Sequence, residues 1–391
     1  MDGGNGTSDA NGNKCSQSTV QQPGEVIRPV VSEGVVEDII HKMYGLTVTD
    51  VKELPSYDDR NYYVKVEKQH SNPFIQELQP GGYLLKVINS KDSVYPQGLE
   101  AQHAFMKCLL KNGIQTQMII PNIYGEEQSL EIMCSQTNIQ GEFPKYLIDL
   151  RTFVPGQVIQ KVPYTHQLLI QDGVLMARMA CALKEFDHSF YKDRDILWSV
   201  TNVPLLTKYT FSLQHEAERN MIEDIVSAFN TEVVSKYQQL PKGYIHGDPN
   251  EQNILVSKVP GGEDNEISGI LDFSDVANSY LVLDLAINIA YLMIDSDVTD
   301  QLDTPGYILA GYESIRQLTP VEWDVIFVCI AGRLAQSLTL GAHANFLEPE
   351  NIYVLTTSKK GWPLLRKFWS QPRDSILSRW KKIIASCKPI D

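Results

Sequence analysis

The sequence predicts an α+β fold in two lobes, an N-terminal antiparallel sheet with helices followed by a C-terminal lobe that is mostly helical. Three observations predict it. With 391 residues, 43% of them hydrophobic, the chain can bury a substantial core and is long enough for two lobes. Segments rich in Val, Leu, Ile and Tyr, separated by turn-forming residues, recur between residues 48 and 151. At Phe153-Val-Pro-Gly156 the composition changes from strand-like to helical, which places a hinge there and divides the chain into residues 25–152 and 153–391.

Along the chain, residues 1–24 are rich in Gly, Asn, Ser and Gln with almost nothing to bury, so a disordered tail is expected there. Ser32 is placed to cap a helix whose apolar Val36, Ile39, Ile40 and Met43 share one face, with Gly45 as its stop. Strands are expected over Val48–Leu54, Tyr62–Glu67 and Tyr83–Ile88. A helix over Gly98–Asn112 carries Leu99, His103, Met106 and Leu110 on one stripe and ends at Gly113. Strands at Leu130–Cys134 and Lys145–Arg151 complete the smaller lobe. Beyond the hinge, helical patterns occupy Thr165–Phe186 and Tyr209–Gln239. A β-rich island then pairs Ile254–Ser257 with Ile267–Leu271 across a loop containing Pro260-Gly-Gly262, and helices resume to the end.

Charge narrows the classes of partner. A net charge of −14, from 34 basic and 48 acidic side chains, argues against a nucleic-acid backbone or an anionic membrane and suits a small cationic substrate, although any acidic soluble enzyme would carry the same balance. The six cysteines, Cys15, Cys108, Cys134, Cys181, Cys329 and Cys387, are scattered without a zinc spacing and are expected to be reduced. The amino terminus has no apolar signal region, and the apolar run Tyr280–Ile294 is interrupted by Asp284 and Asn288, so a cytoplasmic protein with a buried helix there is expected.

The chemistry concentrates in Tyr244-Ile-His-Gly-Asp-Pro-Asn-Glu-Gln-Asn253 and in Leu271-Asp-Phe-Ser-Asp275, whose first aspartate follows Asn253 by 19 residues. Phosphoryl transfer needs a carboxylate to position and deprotonate the attacking hydroxyl, together with oxygen ligands for a magnesium ion on the nucleotide phosphates. The spacing His246-x-Asp248-x-x-x-x-Asn253 is that of a kinase catalytic loop with Gly247 in place of arginine. Alone it could equally be a surface turn, since Asp-Pro-Asn is a common turn sequence. Asp272, after the apolar run Ile267–Leu271 and before Phe273, decides for the kinase reading, with Ser274 where a kinase has glycine. Asp275 leaves three roles open: a second metal contact, a substrate contact, or solvation of the loop. His246 reads as a loop-ordering residue and Asp284 as a carboxylate bonding backbone amides of this region.

Lys86, one cation inside the apolar strand Tyr83–Ile88, is either an edge residue facing solvent or a phosphate contact in a cleft. Glu100, in the first turn of the next helix, is its expected ion-pair partner, with Gln102 as an alternative. No G-x-x-x-x-G-K-[ST] or G-x-G-x-x-G occurs where a phosphate loop would be needed. Between the first two strands, Ser56-Tyr-Asp-Asp-Arg-Asn61 could instead touch phosphate through backbone amides and through Ser56, Arg60 or Asn61, or be a plain polar turn.

On these motifs, residues 45–340 resemble the aminoglycoside phosphotransferase and choline kinase group of small-molecule kinases, which implies a two-lobed protein kinase-like fold. Leu54-Pro-Ser-Tyr-Asp-Asp59, Asn202-Val-Pro-Leu-Leu206, His246-Gly-Asp248, Ser268-Gly-Ile-Leu-Asp-Phe273, Gly311-Tyr-Glu-Ser-Ile315 and Arg333-Leu-Ala-Gln-Ser-Leu338 resemble more closely the hydroxylysine kinases within it. That resemblance implies Asp248 as catalytic base, Asn253 and Asp272 as Mg2+ ligands, and Lys86 with Glu100 on the nucleotide phosphates. It further implies GTP as donor and the hydroxyl of 5-hydroxy-L-lysine as acceptor. ATP with choline, ethanolamine or an aminoglycoside-like acceptor is the alternative within the class, and a catalytically silent binding module the alternative outside it. For an acceptor with two ammonium groups and one carboxylate, Arg333 is the candidate for the carboxylate, with a structural arginine that bonds helix ends as the alternative, and Asp275 is the candidate for an ammonium.

Overall fold

A computed structural model of the chain describes residues 27–56, 58–134, 137, 141–192, 194, 196–298, 300–347 and 358–387; the tail expected over residues 1–24 lies outside them. The first helix, α1 (Val35–Tyr44), buries Val36, Ile39, Ile40, Met43 and Tyr44, the face its periodicity marks out. Its start differs from expectation. Gly34 stands at the N-cap with no side-chain cap, and Ser32 contributes its carbonyl to the Val35 N–H at 3.3 Å.

The N-terminal sheet contains β1 (Leu46–Leu54), β2 (Arg60–His70), β3 (Tyr83–Val87), β4 (Ile119–Ile120), β5 (Ser129–Ile132) and β6 (Lys145–Thr152). Its path is β1-β2-β3-β6-β4 with β5 also on β6, antiparallel throughout. The strand period of two divides its residues between two faces. Tyr62, Val64, Leu85, Val87, Ile148 and Leu150 pack with α1 in one core. Asn61, Lys86 and Asp149 are register partners across β2, β3 and β6, a polar row on the opposite face. Lys86 interrupts an apolar run because it belongs to that face, and at 4% exposure it does not point to solvent. Helix α2 (Pro96–Lys111) lies between β3 and β4 in the chain and buries Leu99, His103, Phe105, Met106 and Leu109, with Leu109 rather than Leu110 on the deep stripe.

After Thr152 the chain pairs next in a different sheet, where β7 (Gln157–Val158) meets β9 (Ile254–Lys258), itself paired with β10 (Asn265–Ile270) as the hairpin pattern predicts. A two-stranded ladder joins β8 (Lys242–Ile245) to β11 (Ala277–Tyr280). The remaining elements are helical: α3 (His166–Ala182), α4 (Glu216–Ala228), α5 (Leu281–Asp295), α6 (Thr304–Ile315), α7 (Pro320–Leu347), α8 (Ser358–Trp369) and α9 (Arg373–Ser386). The Thr165 side chain caps α3 by accepting from Leu168 N–H. The helix expected over Tyr209–Gln239 is broken into a 3-10 turn at Thr210–Ser212, α4, a π turn at Phe229–Val233 and a further 3-10 turn at Val234–Lys236. The Thr231 hydroxyl there donates to the preceding carbonyls of Ser227 at 3.0 Å and Ala228 at 3.3 Å.

Two helices are buried on nearly every side. α5 is the helix expected from the run Tyr280–Ile294, and its Asp284 and Asn288 point inward. α7 is long and apolar enough to cross a membrane by length and composition, yet 89% of its most apolar window is buried within the fold. Such a helix has no face left for lipid and serves as a core element. Arg333 lies in its middle.

Candidate active site

Short backbone contacts assemble the catalytic loop. Asp284, in the first turn of α5, accepts the His246 N–H at 3.0 Å and the Gly247 N–H at 2.9 Å, so its carboxylate holds the loop as its position at a helix start suggests. The buried His246 ring orders the loop from within: Nδ1 accepts the Asp248 N–H at 3.2 Å and Nε2 donates to the Leu271 carbonyl at 2.9 Å. Those two bonds select one tautomer. Gly247 stands where protein kinases carry arginine because no side chain fits. Its φ is 87°, and a Cβ there would lie 2.0 Å from the Asp275 carbonyl oxygen. The catalytic loop thereby packs directly on the loop that carries Asp272.

A second link joins the same loops, since Leu271 N–H donates to the Asn253 carbonyl at 2.8 Å. Asn253 Nδ2 donates to the Asp248 carbonyl at 2.9 Å, which turns the amide oxygen away from that bond. Asp272 holds φ 60°, the one non-glycine residue at positive φ among the described residues. Its Oδ1 accepts from the Ser274 hydroxyl at 2.9 Å and lies 3.8 Å from Lys86 Nζ. Ser274, the departure from the kinase glycine, thus supports the aspartate it follows. Phe273, fully buried, packs its ring 5.5 Å from Phe105 of α2 and 5.2 Å from His246.

The expected pairing of Lys86 with Glu100 does not form. Lys86 Nζ is 2.8 Å from Asp59 Oδ2, and Glu100 is exposed on α2, beyond the first turn of a helix that starts at Pro96. Gln102, the alternative, keeps its buried Oε1 without a partner. Asp59 is held in turn by Asn89, whose N–H and Nδ2 donate to its Oδ1 at 2.8 and 3.0 Å. Asp59 lies inside the segment singled out between the first two strands but carries no pattern that marks it as the partner of Lys86. Nothing local distinguishes it from Asp58; only the closing of that segment over β3 does. Of the loop's other candidates, Ser56 donates its hydroxyl to the Asp59 carbonyl at 2.6 Å, and Arg60 turns to the Pro29 carbonyl and Glu53. Asn61 lies beside Lys86 in the polar row with its buried Oδ1 unpartnered.

Arg333 departs from the substrate-carboxylate reading and is closer to the structural one. At 2% exposure it does not line an open pocket. Its Nη2 donates to Asp248 Oδ1 at 3.0 Å, so the candidate for a substrate carboxylate is bonded to the candidate base. Asp248 Oδ2 accepts from Asn250 Nδ2 at 2.6 Å. Asp275 lies between Gly247 and Arg194, whose guanidinium donates to the carbonyls of Ser274 at 2.6 Å and Val276 at 2.7 Å. Arg194, too, was missed, since its partners are backbone oxygens far along the chain.

The electrostatics separate the carboxylates. Burial pushes Asp248 up to about 7 despite Arg333, with Asp275, Asp272 and Glu251 adding to the rise; the 24% of its side chain still open to solvent tempers the effect of burial. Burial acts on Asp272 in the same sense, but the Lys86 ammonium and the Ser274 bonds outweigh it and hold Asp272 below the ordinary range. Burial raises Asp275 as well. Burial would lower Lys86, and Asp59 with Asp272 more than reverse that, so the ammonium stays charged. The arrangement therefore offers a carboxylate able to take a proton near neutral pH, a second that stays ionised, and a buried cation beside it.

Comparison with known proteins agrees with this geometry. A family model described as the phosphotransferase enzyme family matches residues 50–318. Hydroxylysine kinase of Xenopus laevis is 34% identical over 362 residues, 90% of this chain and 94% of that protein. The hydroxylysine kinase of Mus musculus is 33% identical over 360 residues, 90% and 93% of the two chains. Among solved structures, an amicoumacin kinase in complex with AMP-PNP, Ca2+ and Ami superposes with a TM-score of 0.61 at 16% identity, covering 89% of this chain and 94% of that one, a likeness of fold. Sequence match and fold converge on the same statement: the chain belongs to the phosphotransferase enzyme family, as a kinase that transfers phosphate to a hydroxyl group.

Proposed function

We propose that this kinase transfers the γ-phosphoryl group of GTP to the hydroxyl of 5-hydroxy-L-lysine, with Asp248 as general base. The observation that carries the reading is the convergence of Asp248, Asn253 and Asp272 through the Leu271-to-Asn253 and Asn253-to-Asp248 bonds, with Lys86 beside Asp272. The acceptor is supported by the two hydroxylysine kinases, whose likeness extends over 90% of the chain, and by the net charge of −14, which suits a substrate of net positive charge. The donor rests on the resemblance alone.

The residues present fit a magnesium ion. Asn253 gives its Nδ2 to Asp248 and keeps Oδ1 as an acceptor, and the hydrogen bonds of Asp272 fall on Oδ1, leaving Oδ2. Among the described residues no three His, Cys, Asp or Glu side chains form a cage of their own. This suits an ion that takes one or two carboxylates and completes its shell with phosphates and water. When bound, magnesium neutralises charge on the transferring phosphate. Lys86, kept cationic by Asp59, binds the nucleotide phosphates from the sheet side, with Asn61 in the same row. Asp248 orients the acceptor hydroxyl and takes its proton as the oxygen attacks phosphorus. Asp275 supplies a carboxylate for an ammonium of the acceptor.

The test is a screen of hydroxylated amines and amino acids for nucleoside diphosphate release with GTP and with ATP. The highest kcat/KM is expected for GTP with 5-hydroxy-L-lysine. Equal use of ATP would remove the donor assignment, and preference for choline, ethanolamine or homoserine would remove the acceptor.

A further inference from the structure

The carboxylate of Asp248 is gripped at both oxygens, by Asn250 two residues away and by a guanidinium 85 residues away on a core helix. We propose that Arg333 is a positioning residue for Asp248, fixing the rotation of its carboxylate toward the acceptor hydroxyl, and that it does not bind the acceptor's carboxylate. The inference rests on the reading of Asp248 as base.

The guanidinium is built into place. Its Nη1 donates to the Trp198 carbonyl at 2.8 Å and to Gln336 Oε1 at 3.0 Å. Gln336, fully buried one turn further along α7, donates its Nε2 to the Ser199 carbonyl at 2.9 Å and the Leu197 carbonyl at 3.4 Å. The rings of Trp198 and Tyr291 flank the charge at 5.6 and 5.2 Å. With one nitrogen held by the 197–199 segment, the other has a fixed direction, and Asp248 Oδ1 lies along it. A planar fork can serve two acceptors on different elements at once, which a lysine ammonium on a flexible stem does not reproduce. An acceptor carboxylate would have to displace Asp248 or enter the core to reach Nε, which is buried and unpartnered. Arg333 compensates a charge that burial would otherwise disfavour, and its removal leaves the carboxylate held by Asn250 alone.

Steady-state kinetics of Arg333→Met and Arg333→Lys, with 5-hydroxylysine and with the same molecule lacking its carboxylate, tests the proposal. Misplacing a reacting group by about an ångström costs roughly 10²-fold in rate, so Arg333→Met should lose about that factor in kcat with both acceptors, while both KM values stay within about threefold. Arg333→Lys, which keeps the buried charge compensated, should recover part of the loss. A rise in KM confined to the carboxylate-bearing acceptor, with kcat retained, would overturn the proposal and return Arg333 to substrate binding. Should Arg333→Met fail to fold, Arg333→Lys alone decides: undiminished kcat refutes positioning, and a fall in kcat shared by both acceptors at unchanged KM supports it. If the unaltered chain turns over neither acceptor, the functional reading itself fails. If Asp248→Asn abolishes turnover while both Arg333 variants keep full kcat, only the positioning proposal falls.

Discussion

Asp248, Lys86 and Gly247 each depend on a neighbour that no local pattern names. For Asp248, replacement by Asn keeps the shape and removes the proposed proton acceptor, so kcat should fall by roughly 10²- to 10⁴-fold while calorimetry still detects nucleotide binding. Lys86 depends on Asp59 at 2.8 Å. Asp59→Asn weakens the hold on a buried ammonium, and the expected result is a rise in KM for the nucleotide of roughly tenfold or more, since a hydrogen bond to a charged group is worth about 1.5–3 kcal/mol. An unchanged nucleotide KM would show that Lys86 needs no such support. At Gly247 the argument is steric. A methyl group would lie 2.0 Å from the Asp275 carbonyl at a φ of 87°. Positive φ at a non-glycine residue costs about 1–3 kcal/mol before any clash, so Gly247→Ala should lower the melting temperature and abolish turnover together.

Helices matter here for what they bring under the loops. α2 bonds the sheet through His103 Nε2 and Asp149 Oδ2 at 2.7 Å and meets the Asp272 loop through Phe105 on Phe273, so one helix spans the two halves of the site. α3 and α6 cross so closely that a Cβ on Gly173 would lie 1.8 Å from the Ile308 carbonyl, and one on Gly311 1.8 Å from that of Ile170. On the same α3, Asp172 faces Asn288 of α5 with full burial; its Oδ1 accepts from Asn288 at 3.3 Å, and its Oδ2 and the Asn288 Oδ1 have no partner. Burial pushes Asp172 up to about 7 from 3.8, against the pull of the Asn288 bond. The folded state then holds this proton more tightly than the unfolded chain. Stability is greatest below about pH 4 for this group and falls as pH rises toward about 7, by up to about 4 kcal/mol. Asp172→Asn cannot ionise and can donate to Asn288 Oδ1. Its melting temperature should therefore drop less than that of the unaltered chain between pH 5 and pH 8; equal drops would exclude Asp172 as the source.

Across the whole molecule, the site lies where the polar face of the N-terminal sheet meets the loops between β8 and β11. The chain as a whole carries a net charge of −14. For a cationic acceptor drawn by that field, KM should rise with ionic strength over the range in which the Debye length shrinks from about 30 Å to about 8 Å. The KM of the anionic nucleotide should not follow the same trend. A salt-independent acceptor KM would mean that recognition is confined to short-range contacts such as Asp275.

Much of this architecture was legible in the chain. Segments rich in Val, Leu, Ile and Tyr between turn-forming residues located β1, β2, β3 and β6 to within a few residues, and Asp284, a carboxylate opening an apolar helix, was read correctly as an acceptor for backbone amides of the catalytic loop. His246, Asp248, Asn253 and Asp272 were found by spacing, since a loop and a single hairpin, β9 to β10, hold them at fixed separation. By itself, the sequence determined these short-range relations, because turn chemistry and side-chain period act over a few residues. Only the tertiary structure decided that Asp59 and not Glu100 pairs with Lys86, and that Arg333 meets Asp248 rather than an open pocket. Those choices follow from how sheet and core helices pack, and a buried charge bonds whichever partner that packing delivers.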